Sequence, residues 1–456
     1  MGAWLGLVAT GPLAQSCSSP ANPTATPASG TPVVFLKTPA AGGSPTPTQT
    51  PSGQTVSVLH CPPEASNQEI EDQLAQAIGQ VLDLDQALKG KRKVYIKPNL
   101  GVQELQSHRG RLHAVADPGV LRGVVAVVRR HYSGEIVVGE APTTTEHSFE
   151  SVFAAAGHTK ALKDLNVRAV DLNQPPYAEF GVPGGGLMFS RYTLSRELAD
   201  VDFVVSVAKM KSHLCAGVTL SMKNLFGIPP WGVYGCPRRY LHSLIRLPRV
   251  LADLGMVFRP DLCIVDGLVG QNGKEWGGPP VDTEVLIAGN NTVATDAVAA
   301  RYMGADPLAD YGQSPYYWDR NPLKLAHEAG LGSARAEDIQ VKGDDWSKLP
   351  KVKFYVERGP SSQEDNQRKS MATAARAYLA QRDDLLRQHS GKIIAIQSDG
   401  KLLYAMAESK ALSVGPGLNG DSLWSSAGMG TLIKKVLPAD EDPEHMEVYE
   451  SILAGH

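Results

Sequence analysis

Residues 201–227 read VDFVVSVAKMKSHLCAGVTLSMKNLFG, with Lys209, Lys211 and His213 at alternate positions directly after an apolar, strand-like run. In an extended chain, side chains two apart share a face, so the three basic groups fall on the side of Phe203, Val205 and Val207. Converging cations repel one another unless something negative sits among them. That is the chemistry of anion capture, and His213 adds a group able to move a proton near neutral pH.

Other apolar runs end in similar groups. KVYIKPN supplies Lys97 and Asn99, EIVVGE supplies Glu140 and DLCIVDG supplies Asp266. AGVTLSMKNLFG reads as a helix stopped by Gly227 and Pro229-Pro230, with Thr219 and Lys223 four apart on one face and Asn224 beside them. TVATDAVAARYMG reads as a helix N-capped by Thr292. Its Asp296 lies amid Ala and Val and needs a partner, for which a lysine of the cluster would serve. Lys97, Asn99, Glu140, Lys209, Lys211, Thr219, Lys223 and Asn224 form the expected ligand-binding set; His213, Asp266 and Asp296 form the expected acid–base set. Arg238-Arg239 with Tyr240 and His242 could form a basic lip but reads as a solvated loop. His108 and His113 have no acidic or Cys partner at helical spacing, and no metal site is expected.

The elements that must position these groups alternate. Short Val/Ile-rich runs such as VSVLHC, KVYIKPNL, EIVVGEAP, VRAVDL, VDFVVSVA and DLCIVDGL are separated by amphipathic stretches such as SNQEIEDQLAQAIGQVL and LRGVVAVVRRHY. This pattern predicts an α/β fold, a mostly parallel sheet with helices on both faces. In such a sheet, ligands bind outside the carboxyl ends of the strands, which is where the polar groups fall. YAEFGVPGGGLMFSRYTLS reads as a hairpin excursion. GPSSQEDNQRKS reads as a linker over 359–370, and 371–456 as a small separate α+β module with a hairpin turning at Asp399-Gly400. The α/β domain is placed at 56–358.

At 456 residues and 42% hydrophobic content the chain can bury a sizeable core, while 44 basic against 47 acidic residues leave a net charge of −3. No overall pull toward nucleic acid exists, so any anion site is local. Residues 1–17, MGAWLGLVATGPLAQSC, resemble a lipoprotein leader ending at Cys17, and the Pro/Thr/Ser-rich stretch 18–55 reads as a stalk making no stable contact with the core. Together they predict an exported protein, lipid-anchored through Cys17 on the outer face of a bacterial cytoplasmic membrane or in the periplasm. Cys61, Cys215, Cys236 and Cys263 show no CxxC spacing and therefore no iron–sulfur or zinc pattern; their disulfide pairing cannot be read from spacing.

IKPNL, VAKMKSH followed by GVTLSMKNLFG, IVDGLVGQNG and IAGNNTVATDAVAARYMGADP resemble the bacterial and archaeal domain of unknown function 362 family over about residues 90–310. The resemblance implies an α/β fold and groups Lys97, Asn99, Lys209, Lys211, His213, Lys223, Asn224, Asp266 and Asp296 in one motif set. Some relatives carry appended ferredoxin modules, which this chain lacks. GQNGKEWGGPP departs from the family's usual Gly-rich run by inserting Lys274, Glu275 and Trp276. AYLAQRDDLLRQHSGKIIAI is similar to a second small uncharacterised domain, domain of unknown function 5678. The resemblance names no reaction. Three functions stay open, in this order: an enzyme acting on a small carboxylate or phosphate by acid–base chemistry, a non-catalytic ligand-binding lipoprotein, and a redox partner of a separate iron–sulfur protein. The cofactor and the oligomeric state are unknown at this level.

Overall fold

The computed structural model describes residues 32–36, 53–101, 105–143, 147–235, 238–349, 352–408, 428 and 430–455. The aliphatic runs build one large sheet. Its path crosses β1 (Thr55–His60), β2 (Lys93–Pro98), β5 (Glu135–Glu140), β6 (Arg168–Asp171), β9 (Phe203–His213), β11 (Leu262–Gln271), β13 (Val285–Gly289) and β14 (Gln340–Gly343), in the spatial order β14-β1-β13-β11-β9-β2-β5-β6. Neighbours on the path pair in parallel except where β13 runs antiparallel to both β1 and β11. The expected mostly parallel α/β sheet is therefore present, with one reversed strand. The four strands that carry the polar groups, β2, β5, β9 and β11, all point the same way.

Alternation within each strand decides which layer a residue joins. Val94, Ile96, Val205 and Val207 pack against the helices Asn67–Val81 and Pro118–His131, while Tyr95, Val204 and Val265 face the helices Arg246–Phe258 and Thr292–Tyr302. The first helix opens on a reciprocal capping box between Ser66 and Glu69. Short ribbons decorate this frame. β3 (Ser107–His108) pairs with β4 (Arg111–Leu112), β7 (Tyr177–Gly181) with β8 (Arg191–Ser195) in the expected hairpin, and β12 (Pro280–Val281) with β11.

Several expectations differ from what is seen. Residues 217–219 are not helical: β10 (Gly217–Thr219) turns back onto β9, with Thr219 opposite Lys211, and helix begins only at Ser221, as the turn Ser221–Asn224 followed by a 3-10 turn at Leu225–Gly227. The turn needs Gly217 at φ +74, where an added Cβ would sit 2.7 Å from the Tyr316 ring, and Val218 and Thr219 favour the strand that follows. Thr292 is the first helical residue, the cap being Asn291. The stretch 18–55 is not wholly free of the core, because Val34 bridges to Phe180 and its backbone bonds Glu179 and Gly181, which adds a short strap to the β7 edge. Cys17 lies outside the described residues.

Most of the stretch read as a linker is helix, Ser362–Ala380, N-capped by Ser361. Behind it, β15 (Ile393–Ile396) lies between β16 (Leu402–Met406) and β17 (Leu432–Lys435) in an antiparallel sheet. This sheet packs against the α/β part. Met371, Tyr378, Leu432 and Tyr449 join the same core as Leu247 and Leu251 of the Arg246–Phe258 helix. A buried ion pair links the two parts as well: Arg246 Nε lies 2.7 Å from Glu444, which also receives Lys434 Nζ, from its own part of the chain, at 2.9 Å. Cys61, Cys215 and Cys263 are free thiols, and Cys236 lies outside the described residues.

Candidate functional site

A cavity of about 720 Å³ opens at the carboxyl ends of β2, β5 and β9. Lys97, Asn99, Glu140, Lys211, His213, Thr219, Lys223 and Asn224 line it, so the structure brings together eight of the expected site residues. Lys209, Asp266 and Asp296 do not line it.

At the inner end, Lys97 forms a salt bridge with Glu140; both side chains are almost wholly buried. Glu140 is the last residue of β5, which is why it reaches a lysine on the adjacent strand. Lys97 also donates to the Pro98 carbonyl at 2.8 Å. Burial pushes Glu140 up to about 7 and pulls Lys97 below the usual lysine range, and each charge opposes the shift of the other. Gly227 closes over the pair: a Cβ there would stand 2.6 Å from Lys97 Nζ and collide with the Glu140 carboxylate. The Asn224 side chain makes no capping bond to the turn that follows it. Its amide donates to the Lys97 carbonyl at 2.9 Å and to Ser206 Oγ at 3.0 Å, tying the Ser221–Asn224 turn to β2 and β9.

β9 stays extended through His213, so the expected alternation of Lys209, Lys211 and His213 is kept, but the three end in different surroundings. Lys209 is sealed against Asp266 at 2.9 Å, with neither side chain exposed to solvent. Asp266 also accepts the Asp117 amide at 2.7 Å and the Leu268 amide at 3.2 Å, and burial is the main cause that raises its pKa. Lys211 donates to the carbonyls of Ala114 at 2.7 Å and Glu275 at 3.3 Å and lies 3.9 Å from the centre of the Trp276 ring. His213 Nδ1 accepts the amides of Cys215 and Ala216 at 3.0 and 3.2 Å, which puts the proton of the neutral ring on Nε2. Its pKa is held well below the usual histidine value by burial, then by Lys223 and His242. Glu275, 3.8 Å from Nδ1, is engaged by the Leu214 amide at 3.0 Å.

Asp296 finds its partner in backbone, not in a lysine. It receives the amides of Ser221 and Met222 at 2.9 and 2.8 Å and so anchors the start of the turn that carries Lys223. Burial raises it to about 7. Lys223 itself makes no hydrogen bond or ion pair among the described residues; its ammonium lies 4.7 Å from the Phe226 ring centre. Burial lowers Lys223 to about 8 and Lys211 to about 7, the latter helped by Lys223.

Further lining residues were not anticipated. Arg238 is buried, donating to the carbonyls of Pro229 and Ala141, and Arg246 and His242 join it, so the segment read as a solvated loop is a wall of the cavity. Trp276, Trp318 and Phe226 supply aromatic surface, and Met371, Thr431, Leu432 and Ile433 come from the C-terminal part. KEW at 274–276 and RRY at 238–240 were visible as unusual strings, but nothing in local sequence shows that they fold over β9. Among the described residues, six lysine and arginine side chains, two histidines and two carboxylates line the cavity. Also among the described residues, no group of three or more His, Cys, Asp or Glu side chains is arranged to hold a metal ion, and no helix is long and apolar enough to cross a membrane.

The chain is 27% identical over 281 residues to the thylakoid-associated protein sll1697 of Synechocystis sp., an alignment covering 59% of this chain and 79% of that one. A family model, Domain of unknown function (DUF362), matches residues 94–301. That span holds β2 to β13 with every lysine of the cluster, but leaves out the walls built by Trp318, Met371 and residues 431–433. Residues 94–301 of this chain are thus a DUF362 domain, extended by its own sheet edge and by a C-terminal part that completes the cavity.

Proposed function

We propose that this protein is an enzyme acting on a small carboxylate or phosphate that carries an apolar or aromatic body. One observation carries the reading: Lys211 and Lys223 both line the cavity, and neither forms an ion pair among the described residues. Two such cations beside Arg238 leave a positive field that an anion would neutralise. The size and aromatic walls of the cavity suit a ligand larger than a bare ion. Asn99 Oδ1 and Thr219 Oγ1 are buried without hydrogen-bond partners among the described residues, and polar groups of a ligand would satisfy them.

Acid–base work then falls to amines with near-neutral pKa, Lys211 and Lys223, with His213 offering Nε2–H as a donor. In this reading Asp266 and Asp296 hold the frame, because their oxygens are already engaged by Lys209 and backbone amides. We also place the protein at a membrane surface on the outer side of the cell. The relative's name records association with thylakoids, and the stretch ending at Cys17 has the make-up of a lipoprotein leader. Titrating phosphate and aromatic carboxylates against thermal unfolding tests the anion site. At a hundredfold excess over Kd, binding adds about 2.7 kcal/mol, and Lys211→Ala should lose most of it. A melting temperature unmoved by every anion would refute the reading. Stabilisation without turnover of any such compound would leave a binding protein.

A further inference from the structure

The lysines at the strand ends differ in one respect that bears on reactivity. Lys97 is held by Glu140 and the Pro98 carbonyl, Lys209 by Asp266, and Lys211 by two carbonyls and the Trp276 face. An amine so engaged is fixed in its charged form or has its hydrogens aimed at acceptors. Lys223 makes no hydrogen bond or ion pair among the described residues, its one aromatic neighbour there being the Phe226 ring. It stands on a turn fixed from below by Asp296 and Asn224, over the Phe226 ring, in a cavity shared with Arg238 and Lys211. A lysine freed of partners, walled by an aromatic ring and flanked by other cations is the arrangement that makes an amine nucleophilic at neutral pH.

We propose that the Lys223 amine attacks a carbonyl carbon of the bound anion and forms an imine with it. The nitrogen lone pair makes the new C–N bond while the carbonyl π electrons move to oxygen. The oxygen takes up the protons that nitrogen releases and leaves as water, so no oxidant or reductant is needed. The substrate class narrows to anions bearing an aldehyde or ketone. This rests on the anion reading above and adds the covalent step.

Pyridoxal phosphate, an anionic aldehyde, serves as the reagent. The full chain is incubated with it, reduced with borohydride and mapped by peptide mass spectrometry, alone and with excess inorganic phosphate. Phosphate-dependent thermal stabilisation is measured in parallel. The expected result is a label at Lys223 at least tenfold above that at surface lysines, suppressed by phosphate. Lys223→Arg should abolish that label. Labelling spread over surface lysines with Lys223 spared, in a protein that phosphate still stabilises, overturns the nucleophile and leaves the anion site standing. Absence of both label and stabilisation overturns both. A Lys223 label that phosphate neither suppresses nor accompanies with stabilisation keeps the nucleophile and removes the anion site.

Discussion

The pair of Lys209 and Asp266 permits a sharp test, because both side chains are wholly buried at 2.9 Å and neither lines the cavity. Removing one charge strands the other in the core, at a cost of about 3–5 kcal/mol. Lys209→Met fills a similar volume but leaves a carboxylate held only by the Asp117 and Leu268 amides. Asp266→Asn leaves an ammonium facing an amide. Combining the two removes both charges, while the Asn oxygen still accepts the Asp117 amide, so the double variant should lose only about 2–4 kcal/mol, well below the sum of the singles. With a urea dependence of about 3 kcal/mol per M, each single variant should unfold roughly 1 M or more earlier than the parent. The assay is urea unfolding followed by circular dichroism, with phosphate stabilisation measured on each folded variant. Single losses that simply add in the double variant would refute the pairing argument. A well-folded double variant blind to phosphate would show that Asp266 or Lys209 serves the ligand after all.

Four further outcomes are expected. Sulfate, whose charge is constant, should bind more weakly as pH rises from about 6 to about 9 by calorimetry, because Lys211 and Lys223 lose their protons near 7 and 8. The same two shifts predict that ligand-free stability gains with pH between those values and the unfolded lysine pKa near 10.4, since the unfolded chain then holds more protons; a thermal melt series checks the sign. Asp296→Ala should cost about 1–2 kcal/mol by removing the cap of the Ser221–Asn224 turn, and hydrogen exchange should rise first at Ser221 and Met222. Arg246→Met leaves Glu444 with Lys434 as its remaining ion-pair partner, and should lower the melting temperature and open residues 362–455 to proteolysis, read by the rate of cleavage.

The sheet was legible because Val/Ile periodicity and strand-end polarity are local signals, and Lys97, Glu140 and Lys211 fell where those signals put them. Partners were less legible. Nothing in the string around Asp296 tells that its acceptors meet the amides of Ser221 and Met222, seventy-odd residues earlier in the chain. A buried carboxylate can be satisfied by a lysine or by a helix start, and composition does not choose between them. The reversal at Gly217 was misread because GVTLSMKN holds both strand and helix formers, and its pairing with β9 decides the outcome. Arg238 looked solvated because arginines mostly are; only the carbonyls of Pro229 and Ala141, brought in by the fold, make its burial tolerable.

Arg246 ties the cavity to the last part of the chain: besides Glu444 it holds the Ile433 carbonyl at 2.7 Å, and Thr431, Leu432 and Ile433 stand beside it in the cavity wall. Ribosomes deliver the chain from its amino end at about 5–20 residues per second, so the lysine-bearing strands emerge many seconds before that wall exists. During this interval the nascent domain holds its cations and aromatic rings in an unclosed cleft, open to water and to any chaperone. Ligand competence therefore arrives late in synthesis, because a chain that ends before Thr431 lacks that part of the cavity wall.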